Sequence, residues 1–369
     1  VYPASLDVTA FNGNVLLEDD IVLYPSPVSN INILAKQNIS SIGGQFNLIM
    51  SDTDPGQLPK SSFVINTLST DPNNQLFLED TYAKFTPSLI NPISAQDIKS
   101  ARDSGIQGLI HAATPLHSSD QQPARLVSQS GDIAGLFLNL PKQSIIQAGR
   151  DLKNTTLQIQ QINPTDASII SAGRDISFDT PLTADGILDT TITDSYKIDI
   201  AGPGDALVKT GRNLDLGSSV GLTTSGDVTN TVLSDQGASL DVLVGLNGAT
   251  PDYAGFISQY QDKPIYAEKF TEAKTVIANF MRQRTGNPAL SVADALSAFK
   301  NLQGDETLPI QAQLHALISQ VFFNEIKVAG SASADDKSVG NKGGYDAIAA
   351  LFPGKQWKGD ISVFYSKIQ

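Results

Sequence analysis

Apolar residues recur along the chain in short alternating runs, each closed by a small residue, one or more polar positions, an Asp or Asn, and then Ile, Leu or Val. Val8-Thr9-Ala10-Phe11-Asn12-Gly13-Asn14-Val15 is one copy, Leu34-Ala35-Lys36-Gln37-Asn38-Ile39 a second, and Val127-Ser128-Gln129-Ser130-Gly131-Asp132-Ile133 a third. The two most regular are Ile146-Gln147-Ala148-Gly149-Arg150-Asp151-Leu152 and Ile170-Ser171-Ala172-Gly173-Arg174-Asp175-Ile176. Val208 to Leu214 (with Gly211, Arg212 and Asn213), Leu222 to Val228, and Gly359-Asp360-Ile361 complete the set. Alternation of this kind predicts strands with one buried face. A recurring corner predicts repeated turns of one unit. Leu152 to Ile176 and Val15 to Ile39 each span 24 residues, while other intervals are 19, 38 and 14, so the repeat carries insertions. The expected fold is mainly β: a right-handed parallel β-helix, a solenoid whose turns stack their inward Ile, Leu and Val in columns. An antiparallel sandwich is the competing reading. It is disfavoured because hairpin dipeptides are scarce, at Asn12-Gly13, Asp185-Gly186 and Asn247-Gly248.

Each corner residue has an expected task. The glycines Gly149, Gly173 and Gly211 are expected to supply positive φ. Asp151, Asp175 and Asn213 are expected to bond nearby backbone N–H groups. Arg150, Arg174 and Arg212 hold equivalent positions and are expected to form an outward ladder onto corner aspartates, a structural role preferred here to anion binding.

Two stretches break the pattern. Residues 1–51 and 121–250 read as solenoid turns, but 52–120 is rich in Pro and Asp and reads as a loop-rich excursion, touching the solenoid near Tyr82, Phe85, Leu89 and Ile90. From 252 to 327 the period becomes helical. Tyr253, Phe256, Ile257 and Tyr260 recur at that spacing, as do Phe270, Ala273, Ile277 and Met281. Ser291-Val292-Ala293-Asp294 reads as a capping box, and Pro309 as a helix start. A helical insertion of three or four helices is expected, then a polar glycine-rich linker at 328–344, then a return to solenoid within 345–369, with one or two further helical turns at Tyr345 to Leu351 before the strand resumes at Gly359. Tyr253, Phe256, Tyr260, Tyr266 and Phe270 are expected first as the insertion's own core and its seat on the solenoid, and secondly, in part, as its candidate contact surface.

Composition narrows the chemistry. Charged residues make up 17% of the 369, against about 25% in an average soluble protein. There is no cysteine, so no disulfide, thiolate zinc site or cysteine nucleophile exists. The net charge is −13, with scattered Lys and Arg, which argues against nucleic acid as a partner. No apolar run reaches the ~18 residues of a membrane-spanning helix. No signal peptide opens the chain, and Val1 starts within a strand-like run, so a piece of a longer exported protein is expected.

The ordered set Ala-Gly-Arg-Asp (148–151 and 172–175), Thr-Gly-Arg-Asn-Leu (210–214), Thr114-Pro115-Leu116-His117, Pro123-Ala124-Arg125-Leu126, Gly202-Pro203-Gly204 and Leu351-Phe352-Pro353-Gly354 resembles the filamentous haemagglutinin family of large bacterial exoproteins. It is similar to an uncharacterised region toward the C-terminal end of some members. The resemblance covers nearly the whole chain. It implies two-partner secretion through an outer-membrane pore, a secreted or cell-surface location, and a shaft that serves adhesion to a cell-surface receptor or glycan. The family's secretion domain and any terminal toxin are not visible.

Other chemistry is weakly supported. His111 and His117 lie near Asp120, but no third metal ligand stands close in sequence. His315 sits among Leu314, Ala316 and Leu317 on a helix and reads as structural. Asp52-Thr53-Asp54-Pro55-Gly56 has the alternating oxygens of a calcium loop without its distant Glu. The paired acids Asp52/Asp54, Glu79/Asp80 and Asp335/Asp336 do not predict the geometry a glycosidase needs. No catalytic residue and no cofactor are expected. A β-helical carbohydrate-active enzyme and a purely structural spacer are the alternatives to an adhesive shaft.

Overall fold

The computed structural model describes residues 2–52, 114–180, 183–186, 196–226, 233–302, 304–331, 337–354, 357–364 and 366–369. Twenty strands within them build three all-parallel sheets. The first three are β1 (Leu6–Ala10), β2 (Val15–Leu17) and β3 (Ile21–Leu23), followed by β4 (Ile31–Ala35), β5 (Ile39–Ser41) and β6 (Phe46–Met50). Then come β7 (Ala124–Ser128), β8 (Ile133–Ala134), β9 (Leu136–Leu140), β10 (Ser144–Ala148), β11 (Leu152–Lys153) and β12 (Thr156–Gln160). They are succeeded by β13 (Ala167–Ala172), β14 (Ile176–Ser177), β15 (Lys197–Ala201), β16 (Asp205–Thr210), β17 (Leu214–Asp215) and β18 (Gly221–Ser225). The last two are β19 (Ser239–Leu243) and β20 (Ile361–Ser362).

Successive strands enter the three sheets in rotation. The first sheet runs β1-β4-β7-β10-β13-β16-β19, the second β2-β5-β8-β11-β14-β17-β20, and the third β3-β6-β9-β12-β15-β18. Every ladder pairs a strand with its counterpart three strands on, so like side chains stack. Ile33, Leu126, Ile146, Ile170 and Val208 form one inward column of the first sheet. Ile39, Ile133, Leu152, Ile176 and Leu214 form that of the second. Leu48, Leu138, Leu157, Ile198 and Leu222 form that of the third. All fifteen are buried. Each such side chain contributes about 1.5–3 kcal/mol of hydrophobic stabilisation. Alternation therefore selects the inward face, and the column holds because the register is fixed on that face.

Leu222 to Val228 departs from the expectation. Leu222 lies in β18 of the third sheet, beside Ile198, and not at a corner of the first. A short polar tail after an apolar run suits either sheet, so the motif alone did not assign it.

The chain divides into two compact units: residues 1–240 with 360–369, and 241–359. The second is helical: α1 (Tyr253–Tyr260), α2 (Ala267–Thr285), α3 (Val292–Phe299), α4 (Gly304–Ser331) and α5 (Lys337–Leu351). Asp252 caps α1, accepting from Gly255 N at 2.7 Å. Ser291 caps α3, accepting from Asp294 N at 3.1 Å. Gly286 ends α2 in the left-handed conformation, at φ 65°.

Three boundaries differ from the sequence expectation. The helical unit reaches from 241 to 359 rather than 252 to 327. α4 begins at Gly304, ahead of Pro309, and runs on to Ser331. The expected linker at 328–344 is helical over 328–331 and again from Lys337. Apolar spacing in α5 is confined to its glycine-free second half, Tyr345 to Leu351, about two turns. Burial of Ala347 and Leu351 there offsets the roughly 1 kcal/mol that each helical glycine costs. The expected helical turns at Tyr345 to Leu351 form the second half of α5, and the strand return falls at β20, close to the expected Gly359.

Most of the 52–120 excursion, with Asp54, Glu79, Asp80, His111 and its aromatic residues, lies outside the described residues, as does Asp335/Asp336. Asp52 is buried.

Candidate functional site

The corner between the first and second sheets is a continuous polar ladder. The backbone N–H of Asn38 donates to Asn14 Oδ1 at 2.9 Å, and that of Asp132 to Asn38 Oδ1 at 2.8 Å. Asp151 N donates to Asp132 Oδ1 at 3.0 Å, Asp175 N to Asp151 Oδ1 at 3.1 Å, and Asn213 N to Asp175 Oδ1 at 3.0 Å. Asp360 N donates to Asn213 Oδ1 at 3.1 Å. Each turn thus supplies the acceptor that the next turn's backbone needs.

The arginines lie one step outside. Arg150 bonds Asp132 at 3.2 Å. Arg174 grips Asp151 through Nε at 3.0 Å and through Nη2, and Arg212 grips Asp175 through Nε at 3.2 Å and through Nη2. Lys153 adds a contact to Asp151 at 3.2 Å. Burial pushes the Asp151 carboxyl up, but the bonds from Arg174, the Asp175 backbone and Lys153 together hold it below the usual carboxylate range. Asp151 raises the Arg174 guanidinium in turn. Every described arginine of the ladder is already charge-paired, which leaves it poorly suited to grip an outside anion.

The glycines serve a different purpose from the one expected. Gly149, Gly173 and Gly211 do not have positive φ. They are required by close approach: a Cβ on Gly149 would lie 2.3 Å from Gln129 O, one on Gly173 2.2 Å from Gly149 O, and one on Gly211 1.9 Å from Gly173 O. The backbones stack where a methyl group would stand.

The aromatic set is corrected as a contact surface, and its reading as the core of the helical unit holds. Tyr253, Phe256, Tyr260, Tyr266 and Phe270 are all buried, none more than 6% exposed. Phe256 packs on Tyr260 and Phe322 with ring centroids 4.7 and 6.2 Å apart, and Tyr266 meets Phe270 edge-on at 5.9 Å. Helical spacing placed these rings on one face, and that face is the interior of the helical unit. Beside them, Lys263 pairs with Glu325 at 2.6 Å and lies 5.1 Å from the Tyr260 ring centre, while Tyr266 Oη donates to Glu325 at 2.7 Å. Exposed apolar side chains in this unit are Ile265, Val292, Phe323 and Tyr345, which lack any periodic signal. His315 is buried, with Nε2 3.1 Å from Asp241 and its ring edge-on to Tyr253.

A buried cluster of ionisable groups lies at the corner that leads into the first sheet. Four turns contribute: Ser29 precedes β4, His117 and Asp120 precede β7, Lys142 precedes β10, and Asp166 precedes β13. A tight turn sets the second pair, with Ser118 N donating to Pro115 O at 3.1 Å and Asp120 N to His117 O at 3.0 Å. Lys142 is 1% exposed and its Nζ contacts Asp120 Oδ2 directly. It also reaches Ser29 O at 3.4 Å, and His117 Nε2 meets Ser29 Oγ at the same distance. Asp120 Oδ1 accepts from Gln122 N at 2.9 Å. Asp166 spends Oδ2 on the N–H groups of Ile162 and Asn163, at 2.8 and 2.9 Å.

Burial lowers the Lys142 ammonium, against the pull of Asp120. Burial, then Lys142, depress the His117 imidazole from 6.5 to about 4, so it is neutral at pH 7. The charge of Asp120 and a hydrogen bond with the Pro27 backbone act in the opposite direction. Ser29 and Lys142 carried no sequence signal for this role, because their neighbourhood arises from stacking of turns distant in sequence.

Among the described residues no group of three His, Asp or Glu is placed to hold a metal ion, and no helix is long and apolar enough to cross a membrane. Comparison with family models, with curated proteins and with solved structures found no match to this chain.

Proposed function

We propose that the chain is a segment of a rigid extracellular shaft of the filamentous haemagglutinin type, a right-handed parallel β-helix that serves contact with cells or surfaces. The supporting observation is the three-sheet stack with its uninterrupted corner ladder. Parallel strands joined in rotation through three sheets suit a coil, and connections between parallel strands are right-handed in nearly all folds. Each turn leans on its neighbours alone, which is the construction of a solenoid rod. The motif set that resembles the exoprotein family supplies the extracellular setting and the adhesive role, with secretion through an outer-membrane pore. The helical unit is the contact element, through its exposed side chains such as Ile265, Phe323 and Tyr345 rather than its buried aromatic set.

The test is binding to cultured cells and to a glycan array by the intact chain and by a version lacking 246–357. Gly245 O accepts from Lys358 N at 3.0 Å, so the cut ends already meet. Binding by the intact chain and none by the β-rich deletion is expected. Equal binding by both would move the contact to the sheets. Binding by neither would make the segment a spacer.

A further inference from the structure

We propose that Lys142 and Asp120 become joined by an intramolecular amide bond, formed by the protein itself at the buried corner shared with Ser29 and His117. The geometry supplies each requirement for such a step. The amine and the carboxylate are in direct contact, and their side chains are only 2% and 10% exposed. Water competes poorly there, and an ion pair is costly to bury. Burial favours the uncharged amine, and transfer of one proton within the pair yields amine and carboxylic acid together.

Nζ of Lys142 then attacks Cγ of Asp120. The Nζ–Cγ bond forms and the Cγ–Oδ2 bond breaks. Oδ2 leaves as water, carrying the proton of the acid and one from the attacking nitrogen. Oδ1 becomes the amide oxygen, and the Gln122 N–H at 2.9 Å is placed to stabilise the negative charge that develops on it. His117 is neutral and buried, feels the charges of both Lys142 and Asp120, and meets Ser29 Oγ beside the Ser29 carbonyl that Lys142 reaches. It is the group available to carry the proton from nitrogen to departing oxygen. No oxidant, metal or cofactor enters the balance. The product ties the turn before β7 to the loop before β10, two strands that are direct neighbours in the first sheet.

The experiment is the intact mass of the purified full chain under denaturing conditions, followed by peptide mapping. The expected mass is lower than the sequence mass by one water, with a branched peptide joining Asp120 to Lys142. Asp120→Ala and Lys142→Met should each carry their full sequence mass. His117→Gln should be linked more slowly, read as the unlinked fraction in freshly made protein. An unmodified wild-type mass overturns the proposal, and this reading does not depend on whether the variants fold. A water deficit that persists in Asp120→Ala, or that maps to a succinimide at Asp185-Gly186, also overturns it. Linkage in His117→Gln at the wild-type rate removes His117 from the chemistry.

Discussion

At the scale of single residues, Asp151 does the most for the least volume. Its carboxylate accepts from the Asp175 backbone, from Arg174 and from Lys153, and its residue is 2% exposed. Asp151→Ala leaves the part-buried Asp175 N–H without this acceptor, and a loss of about 1–3 kcal/mol is expected. Asp151→Asn keeps one amide oxygen for that N–H and should lose about half as much. Urea unfolding of both variants at pH 7 checks the order. His117 makes the second prediction. Its folded value near 4 lies below its unfolded 6.5, so the unfolded chain takes up a proton first as pH falls. Stability from this group is complete above pH 6.5 and is lost as pH drops through 4, by about 3 kcal/mol in all. His117→Gln should show a shallower fall in the urea midpoint between pH 7 and pH 4.5. An unchanged slope would mean that other groups carry the acid response.

At the scale of elements, legibility depended on whether a pattern is local. The strands and corners of 146–152 and 170–176 could be read because alternation, glycine and Asp recur within seven residues. The ladder partners followed from the repeat itself. What the glycines do was misread: their stacking contact, Gly173 against Gly149, is made between turns and leaves no local mark. The aromatic set of α1 and α2 was read as a set, but a helical stripe does not say whether it faces a neighbour helix or solvent. Only the second half of α5, Tyr345 to Leu351, was legible as helix, because glycines at 340, 343 and 344 make the first half read as linker. That helix offers a direct check. Gly343 is exposed within α5, so Gly343→Ala should stabilise the chain by up to about 1 kcal/mol, measurable as a higher thermal midpoint.

At the scale of the whole molecule, the two units differ in how they are held. Residues 1–240 with 360–369 rest on inter-turn ladders, and 241–359 rests on an aromatic interior with capped helices. Deletion of 246–357 should therefore leave the sheets intact, with β20 still paired to β17 and Asp360 still donating to Asn213. Far-ultraviolet circular dichroism should lose its helical signal and keep its strand signal, with one cooperative transition. Loss of the strand signal as well would show that the sheets need the helical unit to fold.

The rungs of the corner ladder stand one turn apart in space, yet Asp151 and Asp175 are separated by 24 residues and Asn213 and Asp360 by 147. Closing the longer interval as a flexible loop costs only about 1.6 kcal/mol more than closing the shorter one, because the entropy grows with the logarithm of length. A corner of this kind can acquire a foreign segment with little damage to its host. Descendants of a common ancestor are then expected to keep the Asx register while exchanging the cargo between Asn213 and Asp360 wholesale, so that new binding properties arrive by graft rather than by gradual revision of the stack.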